Sequence, residues 1–378
     1  MRTIGIDIRL IGKSRTGDEA VFFHLTKEVI KLDTKSHFVL FTDENNPTDL
    51  AALAVKLGCV GNQKVTIVSL FGQNRFLWNA LTLPWYLFHH RVDVYHTQYI
   101  TPLLIPSRTR LLTHIHDVSF EVHPEWIGWL DRFFLRMFIP RSLRRSAAIL
   151  VPSAFTRDEV ARVFALPKEK IVIIPNAASE SWSEPISNAA RVSLRKKFQL
   201  RDVPYAIAVG TMQPRKNIVR LVEAFERLLQ YHHDAQLVLV GNPSAHHVDP
   251  KVRDWEKNRP QGVIFTGYVG SEDLRALVAE SQGLIIPSLY EGFGIPLLEG
   301  FLAGAPVFAS DIPPFHEVAN DAAFFFDPKS LESIEKALYT LFIDQRARGE
   351  LLEKGQGQKN VYFWPKSAQK LLSCYEHC

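Results

Sequence analysis

The chain has 378 residues, of which 46% are hydrophobic and 22% are charged. This length and apolar content suffice for two domains of roughly 150–200 residues each, and the composition excludes disordered, collagen-like and coiled-coil proteins. The formal charge of +4, from 44 basic and 40 acidic residues, is small for this length, so no nucleic-acid partner is predicted.

The N-terminal segment and the cysteines bear on the compartment. Asp7 and Arg9 interrupt the first apolar stretch, which therefore lacks the pattern of a signal peptide. No run of about 18 uncharged apolar residues predicts a membrane-spanning helix. Cys59, Cys374 and Cys378 form no C-x-x-C pair, which favours a reduced compartment and gives no sign of a zinc site. We expect a cytoplasmic protein that is soluble or peripheral at the inner face of the membrane.

Short apolar runs alternate with segments of helical period along the whole chain, which is typical of βαβ units with parallel sheets. In the first half the predicted strands are 2–8, 37–42, 65–69, 93–96, 110–114, 148–151 and 171–174. In the second half they are 205–209, 236–240, 263–266, 283–286, 306–309 and 323–326. The prediction is an α/β protein with two Rossmann-like lobes that face a central cleft.

The segment from Pro175 to Val203 is rich in Ala, Ser, Asn and Pro and has no apolar run, as expected of a hinge. We therefore divide the chain into lobes 1–177 and 178–360. The segment 361–378 has helical period and is a candidate to complete the first lobe. Open parallel sheets bind ligands beyond the carboxyl ends of their strands, so we expect the chemistry in the cleft at the hinge.

The first loop of interest, Arg15-Thr16-Gly17-Asp18-Glu19, follows the first strand and opens a helix. Gly17 would allow close approach of a substrate because it has no Cβ. The sequence leaves open whether this loop contacts a donor phosphate or an acceptor.

A second candidate lies at the end of a later strand of the first lobe. His116 and Asp117 follow the strand 110–114, at the carboxyl end where a ligand would bind. His114 shares the strand face of His116 but lies deeper, so we interpret it as structural. His116 is therefore the candidate site residue of this lobe.

The segment 132–145 contains five arginines among aromatic and aliphatic residues. One interpretation is that it rests on an anionic membrane. The other is a helix whose apolar face packs on the sheet while the arginines extend into solvent. We favour packing on the sheet.

In the second lobe, the stretch Val209-Gly210-Thr211-Met212-Gln213-Pro214-Arg215-Lys216-Asn217 follows the first strand. Two cations at a helix start oppose the helix macrodipole. Arg215 and Lys216 therefore indicate a bound polyanion such as a diphosphate. The alternative is an ordinary solvated basic pair.

The most informative stretch is Pro287-Ser288-Leu289-Tyr290-Glu291-Gly292-Phe293-Gly294-Ile295-Pro296-Leu297-Leu298-Glu299, a strand–loop–helix unit. Gly292 and Gly294 permit close approach of the backbone to a ligand, and the helix start offers free N–H groups to an anion. Glu291 and Glu299 could bind hydroxyls at the two ends of an elongated ligand. The alternative is a common Gly-rich turn before a helix whose apolar residues are core.

The stretch resembles the E-x7-E signature of retaining GT-B glycosyltransferases of the family-4 type, and the resemblance covers nearly the whole chain. Its Tyr-Glu-Gly-Phe-Gly-Ile-Pro form is most similar to mannosyltransferases that use GDP-mannose. The resemblance implies that Glu291 binds hydroxyls of the transferred sugar and that Glu299 binds the nucleotide ribose. The backbone that contacts the sugar and the diphosphate is, by the same likeness, that of Gly292, Phe293, Gly294 and Ile295.

The resemblance also assigns roles to the other candidates. It implies that Arg215 and Lys216 neutralise the donor diphosphate, with Gly210 and Thr211 close to it. It places the His116–Asp117 pair beside the transferred sugar, whereas the loop around Gly17 departs from the family's glycine pattern. Residues 151–156 resemble a further element near the donor, but Ser153 is also a natural helix N-cap, and we favour the cap.

No Asp-x-Asp element, a common ligand of a divalent cation, occurs in the sequence. We therefore expect no metal or other cofactor, and fixed cations and helix N–H groups in its place.

The function expected from the resemblance is transfer of a sugar from a nucleotide-diphosphate donor, with mannose from GDP-mannose as the best candidate. The acceptor would be a saccharide or a lipid-linked saccharide in polysaccharide biosynthesis, with retention of the anomeric configuration and with membrane contact left open. Two alternatives share this architecture, because a fold does not fix a reaction. They are a sugar-nucleotide epimerase or hydrolase, and a non-catalytic nucleotide-sugar-binding subunit.

Overall fold

The computed structural model describes residues 1–13, 17–71, 75–242 and 248–377. Arg15 and Thr16 of the first candidate loop and the terminal Cys378 lie outside the described residues. The chain divides into two compact units. Unit 1 comprises Met1–Pro124, Trp129–Ala177 and Phe363–Cys378, and unit 2 comprises Glu125–Gly128 and Ala178–Tyr362.

Unit 1 is built on a parallel sheet of seven strands in the order β3-β2-β1-β4-β5-β6-β7. The strands are β1 Thr3–Asp7, β2 His37–Thr42, β3 Val65–Ser69, β4 Val94–Gln98, β5 Arg110–His114, β6 Ala148–Val151 and β7 Ile171–Ile173. The inner strands are largely buried, as a sheet covered on both faces requires, whereas the edge strand β3 is partly exposed. All seven predicted strands of this half are confirmed, with ends shifted by at most two residues.

The helices of unit 1 cross between these parallel strands. They are α1 Gly17–Leu32, α2 Pro47–Leu57, α3 Arg75–Leu77, a π-helical turn Trp78–Thr82, α4 Leu83–His89, α5 Ser119–Val122, α6 Trp129–Arg145 and α7 Ala154–Phe164. Ser153 caps α7, since its side chain accepts a hydrogen bond from the N–H of Thr156 at 3.0 Å. The preferred interpretation of Ser153 as an N-cap is therefore confirmed.

Helix α6 packs on the sheet of unit 1 through its second half. Its buried residues are Ile139, Ser142 and Leu143, and the helix contacts β5. The aromatic residues of its first half face solvent instead, with Trp129 77% and Phe133 56% exposed. The packing that we favoured for segment 132–145 is therefore confirmed for the second half of the helix and is wrong for the aromatic residues of the first half.

Unit 2 contains a parallel sheet of six strands in the order β10-β9-β8-β11-β12-β13. Its strands are β8 Tyr205–Val209, β9 Gln236–Val240, β10 Val263–Gly267, β11 Gly283–Ile286, β12 Val307–Ser310 and β13 Ala323–Phe326. Its helices are α8 Asn188–Lys197, α9 Ile218–Leu229, α10 Pro250–Asn258, α11 Ser271–Ala279, α12 Ile295–Ala303, α13 Pro313–Ala319, α14 Leu331–Ile343 and α15 Gln345–Gln358. The prediction of a second parallel sheet, and with it two Rossmann-like lobes, is confirmed.

The last helix, α16 Trp364–His377, packs against α1 of unit 1. The Trp364 indole stacks on the His24 ring at a centroid distance of 5.1 Å. The Tyr375 hydroxyl contacts His96 Nδ1 at 2.8 Å. The chain therefore returns to unit 1 after completing unit 2.

The strand order of unit 2 reverses between β8 and β11, which are neighbours although two strands, β9 and β10, separate them in sequence. Loops that leave two such strands run to opposite faces of the sheet and open a crevice at their carboxyl ends. The same reversal occurs in unit 1 between β1 and β4. The topology thus predicts one ligand crevice in each unit.

No helix in the described ranges combines the length with the apolarity that crossing a bilayer requires.

Candidate active site

The loops that follow β8 and β11 meet in unit 2. The backbone N–H of Leu289 donates to the carbonyl oxygen of Arg215 at 2.8 Å, which joins the two loops directly. Pro214–Lys216 form a 3₁₀ turn that ends at Asn217 with φ of 58°. The Asn217 side-chain amide donates to the carbonyl of Pro328 at 2.7 Å, and this bond anchors the turn to the body of unit 2.

The Glu291 carboxylate lies between the two predicted cations. Its Oε2 accepts from Arg215 at 3.0 Å, its Oε1 accepts from Lys216, and Ser288 Oγ donates to Oε1 at 2.8 Å. Burial raises the pKa of Glu291, but the charges of Lys216 and Arg215 and the hydrogen bonds from Lys216 and Ser288 outweigh it and lower the pKa to about 2. The structure therefore brings Arg215, Lys216 and Glu291 into one charge cluster.

A small cavity lies beside this cluster, at the carboxyl ends of β8, β9 and β11. Gly210, Thr211, Lys216 and Ser288 are among its lining residues. Gly210 has a φ of 147°, a backbone conformation that favours glycine, and the Lys216 side chain lies against it. The Thr211 Oγ1 is buried and has no hydrogen-bond partner among the described residues, so a polar ligand could satisfy it.

Helix α12 begins at this point. Gly294 precedes its first residue with φ of 111°, and a Cβ there would lie 2.8 Å from the Phe315 ring, so both conformation and packing require glycine. Phe293 is buried in the core against Tyr362, and Ile295 is partly buried against the same core. Of the residues predicted to contact the donor here, Phe293 and Ile295 can therefore offer only main-chain atoms.

Glu299 lies in the second turn of α12 and is half-buried. Burial raises the pKa of Glu299 to about 7, although the charge of Lys216 opposes that shift. No hydrogen bond from a described residue reaches its carboxylate. Glu299 is thus a titrating acid near neutral pH, eight positions along the chain from a carboxylate that stays ionised.

In unit 1, His116 lies just beyond the carboxyl end of β5 and is buried. Its Nε2 is 3.2 Å from the Gln98 Oε1, and its Nδ1 is 3.9 Å from the Asp18 carboxylate. Asp117 instead accepts from the backbone and side chain of Ser119 at 2.9 and 2.7 Å, so its carboxylate is bonded to the first residue of α5. Gly17, the first residue of α1, is exposed.

A stack of imidazole rings supports His116 from below. The His114 ring lies 4.6 Å from His116 and 5.9 Å from His96. His114 is fully buried, and burial lowers its pKa well below the usual value, with His116 and His96 adding to the effect. Burial likewise lowers the pKa of His96 to about 3, with His116 contributing. His114 lies deeper than His116, as predicted, and the lowered pKa values favour the neutral form of both inner rings.

The predicted residues therefore fall into two groups, one in each unit. Sequence reasoning missed the residues that hold these groups in place, namely Ser288 beside Glu291, and Gln98 and Asp18 beside His116. Ser288 follows β11 within the stretch already singled out, so strand position could have identified it. Gln98 ends a different strand from His116, and only the sheet order brings them together.

No three His, Cys, Asp or Glu side chains in the part of the chain that the structure describes are grouped as a metal ion would require.

The charge cluster yields a prediction about stability. Glu291→Gln should lower the free energy of unfolding at pH 7 by about 2 kcal/mol, because Arg215 and Lys216 would keep their charges without a carboxylate between them. The folded-state pKa of Glu291 is about 2 against a usual 4.5, so this contribution is present above pH 4.5 and is lost as the pH falls towards 2.

Urea unfolding at pH 7 and pH 3 tests it, with Glu353→Gln on the exposed side of α15 as the matched control. The difference in the free energy of unfolding between wild type and Glu291→Gln should be smaller at pH 3 than at pH 7, and the control should match wild type at both pH values. A difference that does not change with pH would contradict the prediction that Glu291 is ionised between Arg215 and Lys216.

Two protein-family models match the sequence of the chain. The model described as glycosyl transferases group 1 matches residues 191–358, the part that contains the charge cluster. The model described as glycosyltransferase family 4 matches residues 16–181, the part that contains His116. Together they span nearly all of both units.

Curated relatives match over a large part of the chain. O-antigen chain mannosyltransferase B from Escherichia coli is 29% identical over 304 residues, which are 77% of this chain and 76% of that protein. O-antigen chain mannosyltransferase RfbU from Salmonella typhimurium is 27% identical over 242 residues, which are 64% of this chain and 62% of that protein. The match thus spans less than two thirds of the length of RfbU.

Among solved structures, HepE from Anabaena in complex with UDP-glucose is similar over 100% of both chains, with a TM-score of 0.77 and 15% sequence identity. At that identity the likeness concerns the fold, which is the two-lobed GT-B arrangement of parallel sheets.

Proposed function

Because this chain belongs to the GT-B glycosyltransferases of the family-4 type, we propose that it transfers mannose from GDP-mannose to a saccharide or lipid-linked saccharide, with retention of the anomeric configuration. The observation that carries the proposal is the contact of one carboxylate, Glu291, with both Arg215 and Lys216 at the ends of β8 and β11. The mannosyltransferase relatives support the choice of sugar.

The charge cluster fits a diphosphate. Two cations against one carboxylate leave one net positive charge, and the N-terminus of α12 adds N–H groups with a positive dipole end. On donor binding, Arg215 and Lys216 would bind the diphosphate and Glu291 would turn its acceptor oxygens to the sugar hydroxyls. Negative charge develops on the departing diphosphate, so cations fixed before the reaction stabilise the transition state.

The electrostatics of Glu291 bear on the mechanism of retention. A carboxylate whose pKa is held near 2 by two cations is a weak nucleophile, because nucleophilicity falls with basicity. We therefore assign same-face displacement. The bond from the anomeric carbon to the diphosphate oxygen breaks, the acceptor oxygen bonds to that carbon from the same face, and the acceptor proton passes to the diphosphate oxygen.

We assign the donor to unit 2 and the acceptor to unit 1. Within unit 1, Gln98 and the neutral His114 ring fix the orientation of the His116 imidazole. A ring held in this way can form a directed hydrogen bond to a sugar hydroxyl, which aligns the reacting groups. Asp117 acts through the start of α5, since its carboxylate is already bonded to Ser119.

The proposal is tested first by product analysis across GDP- and UDP-linked sugars, with and without a short saccharide acceptor and with a chelator present. The expected result is acceptor-dependent transfer of mannose from GDP-mannose that persists in the chelator, because Arg215 and Lys216 supply the positive charge. Conversion of the donor without acceptor would favour the epimerase or hydrolase alternative, and binding without any product would favour the non-catalytic subunit.

The roles of the two charged partners can be separated. Lys216→Ala should weaken GDP-mannose binding about tenfold or more, because it removes a cation from the diphosphate. Glu291→Gln should lower kcat by at least about 100-fold while changing nucleotide affinity little, because it acts on the sugar. Titration calorimetry and steady-state kinetics measure both effects, with Lys336→Ala on the exposed side of α14 as the control. Equal and small effects of both variants would contradict the assignment.

Glu299 predicts a pH dependence of donor binding. Ribose hydroxyls donate to an ionised carboxylate, and the pKa of Glu299 is about 7 in the free protein. The protonated fraction grows as the pH falls through 7, so affinity for GDP-mannose should drop about tenfold from pH 8 to pH 6. Glu299→Gln should bind more weakly at pH 8 and lose most of that dependence, as measured by calorimetry without acceptor. A wild-type affinity independent of pH would refute the role.

A further inference from the structure

Unit 1 presents an apolar helix face to solvent. On α6 the residues Leu130, Phe133, Phe134 and Met137 recur at helical spacing, and each has about half or more of its surface exposed. Towards the C-terminus of the helix, the same side carries Arg141, which is also exposed. A globular protein rarely leaves an apolar stripe of this kind uncovered without a binding role.

A second apolar stripe lies on the helical segment 75–89. Leu77, Leu81, Trp85 and Phe88 follow one another at intervals of four, four and three residues, and all are exposed, Trp85 by 60%. Their spacing places them along one side of the segment. The stripe therefore has the same character as that of α6.

One loop joins the two stripes. The N–H of Leu103 donates to the carbonyl of Asn79 in the helical segment 75–89. The carbonyl of Leu103 accepts from Arg141 at 3.2 Å and from Arg145 at 2.7 Å, both on α6. The next residue, Leu104, is 60% exposed. We call the two stripes together with Leu104 the docking face.

The charges in the segments that carry the docking face are mainly positive. Residues 75–92, 94–116 and 132–157 contain ten arginines, and the acidic residues that border these segments are Asp93, Asp117, Asp131 and Asp158. Three of the arginines are paired with acidic residues, namely Arg91 with Asp93, Arg136 with Glu121 and Arg157 with Asp158. Arginine binds phosphate with two parallel N–H groups and keeps its charge at any physiological pH. This composition complements an anionic surface.

We propose that the docking face binds unit 1 to an anionic lipid bilayer. Its aromatic and aliphatic side chains would enter the boundary between headgroups and acyl chains, and its arginines would contact lipid phosphates. A second copy of the chain is a poorer occupant, because face-to-face contact would bring arginines against arginines. This inference rests on the proposed function in one respect: a lipid-linked acceptor would explain why the enzyme binds a membrane.

Sedimentation with vesicles tests the proposal on the full chain. Wild type should bind vesicles with about 30% phosphatidylglycerol at least tenfold more strongly than pure phosphatidylcholine, and high salt should reduce binding. The triple variant Trp85→Ser, Phe133→Ser, Phe134→Ser should bind at least tenfold more weakly than wild type. Arg144→Gln, which removes an exposed cation of α6, should weaken binding to anionic vesicles alone.

Matched controls are Tyr268→Ser and Arg227→Gln, which alter exposed side chains of unit 2 and should bind as wild type does. Circular dichroism and transfer to a short soluble acceptor without vesicles should be unchanged in all variants. Equal binding of the triple variant and wild type would overturn the proposal. So would loss of self-association without loss of vesicle binding, which would assign the face to a second copy. If the protein does not transfer mannose but binds vesicles as predicted, the proposed function is wrong and the proposed membrane binding of the docking face is supported.

Discussion

The contact between one carboxylate and two cations organises the site of unit 2. Glu291 extends from the loop after β11, and Arg215 and Lys216 from the loop after β8. The two loops can meet because β8 and β11 are neighbours at the point where the strand order reverses. Without a ligand, Glu291 neutralises part of the positive charge that a diphosphate would otherwise meet. The carboxylate therefore lowers the free-energy cost of burying two cations in the folded protein, compared with burying them unpaired.

The site of unit 1 depends on the fixed orientation of one ring rather than on a cluster of charges. His116 is flanked by Gln98 and rests on His114, which rests in turn on His96. The stack ends at Tyr375 on α16, so a helix from the far end of the chain supports a residue of the first half. A group aligned in this way needs no reorientation when a substrate arrives, which is the main contribution of positioning to catalysis.

The docking face adds a third feature, because its side chains differ in chemistry from those of the two sites. The small cavity of unit 2 combines apolar side chains of the sheet with Thr211, Lys216 and Ser288, which can bind a polar ligand. The docking face combines large apolar side chains with arginine, which suits the interface between water and lipid. An enzyme that handles a soluble donor and a lipid-linked acceptor would need both kinds of surface.

The sequence by itself determined the fold class, nearly every strand, and the loops that carry the charged residues, because apolar runs, helical periods and glycine-rich turns are local signals. It also separated His114 from His116 by depth on one strand. Only the tertiary structure decided which anion meets Arg215 and Lys216, which side chains hold His116, and that Phe133 and Phe134 face solvent. An apolar helix stripe has the same sequence pattern whether it is buried or exposed. Side chains from different strands come together only through the order of the strands in the sheet.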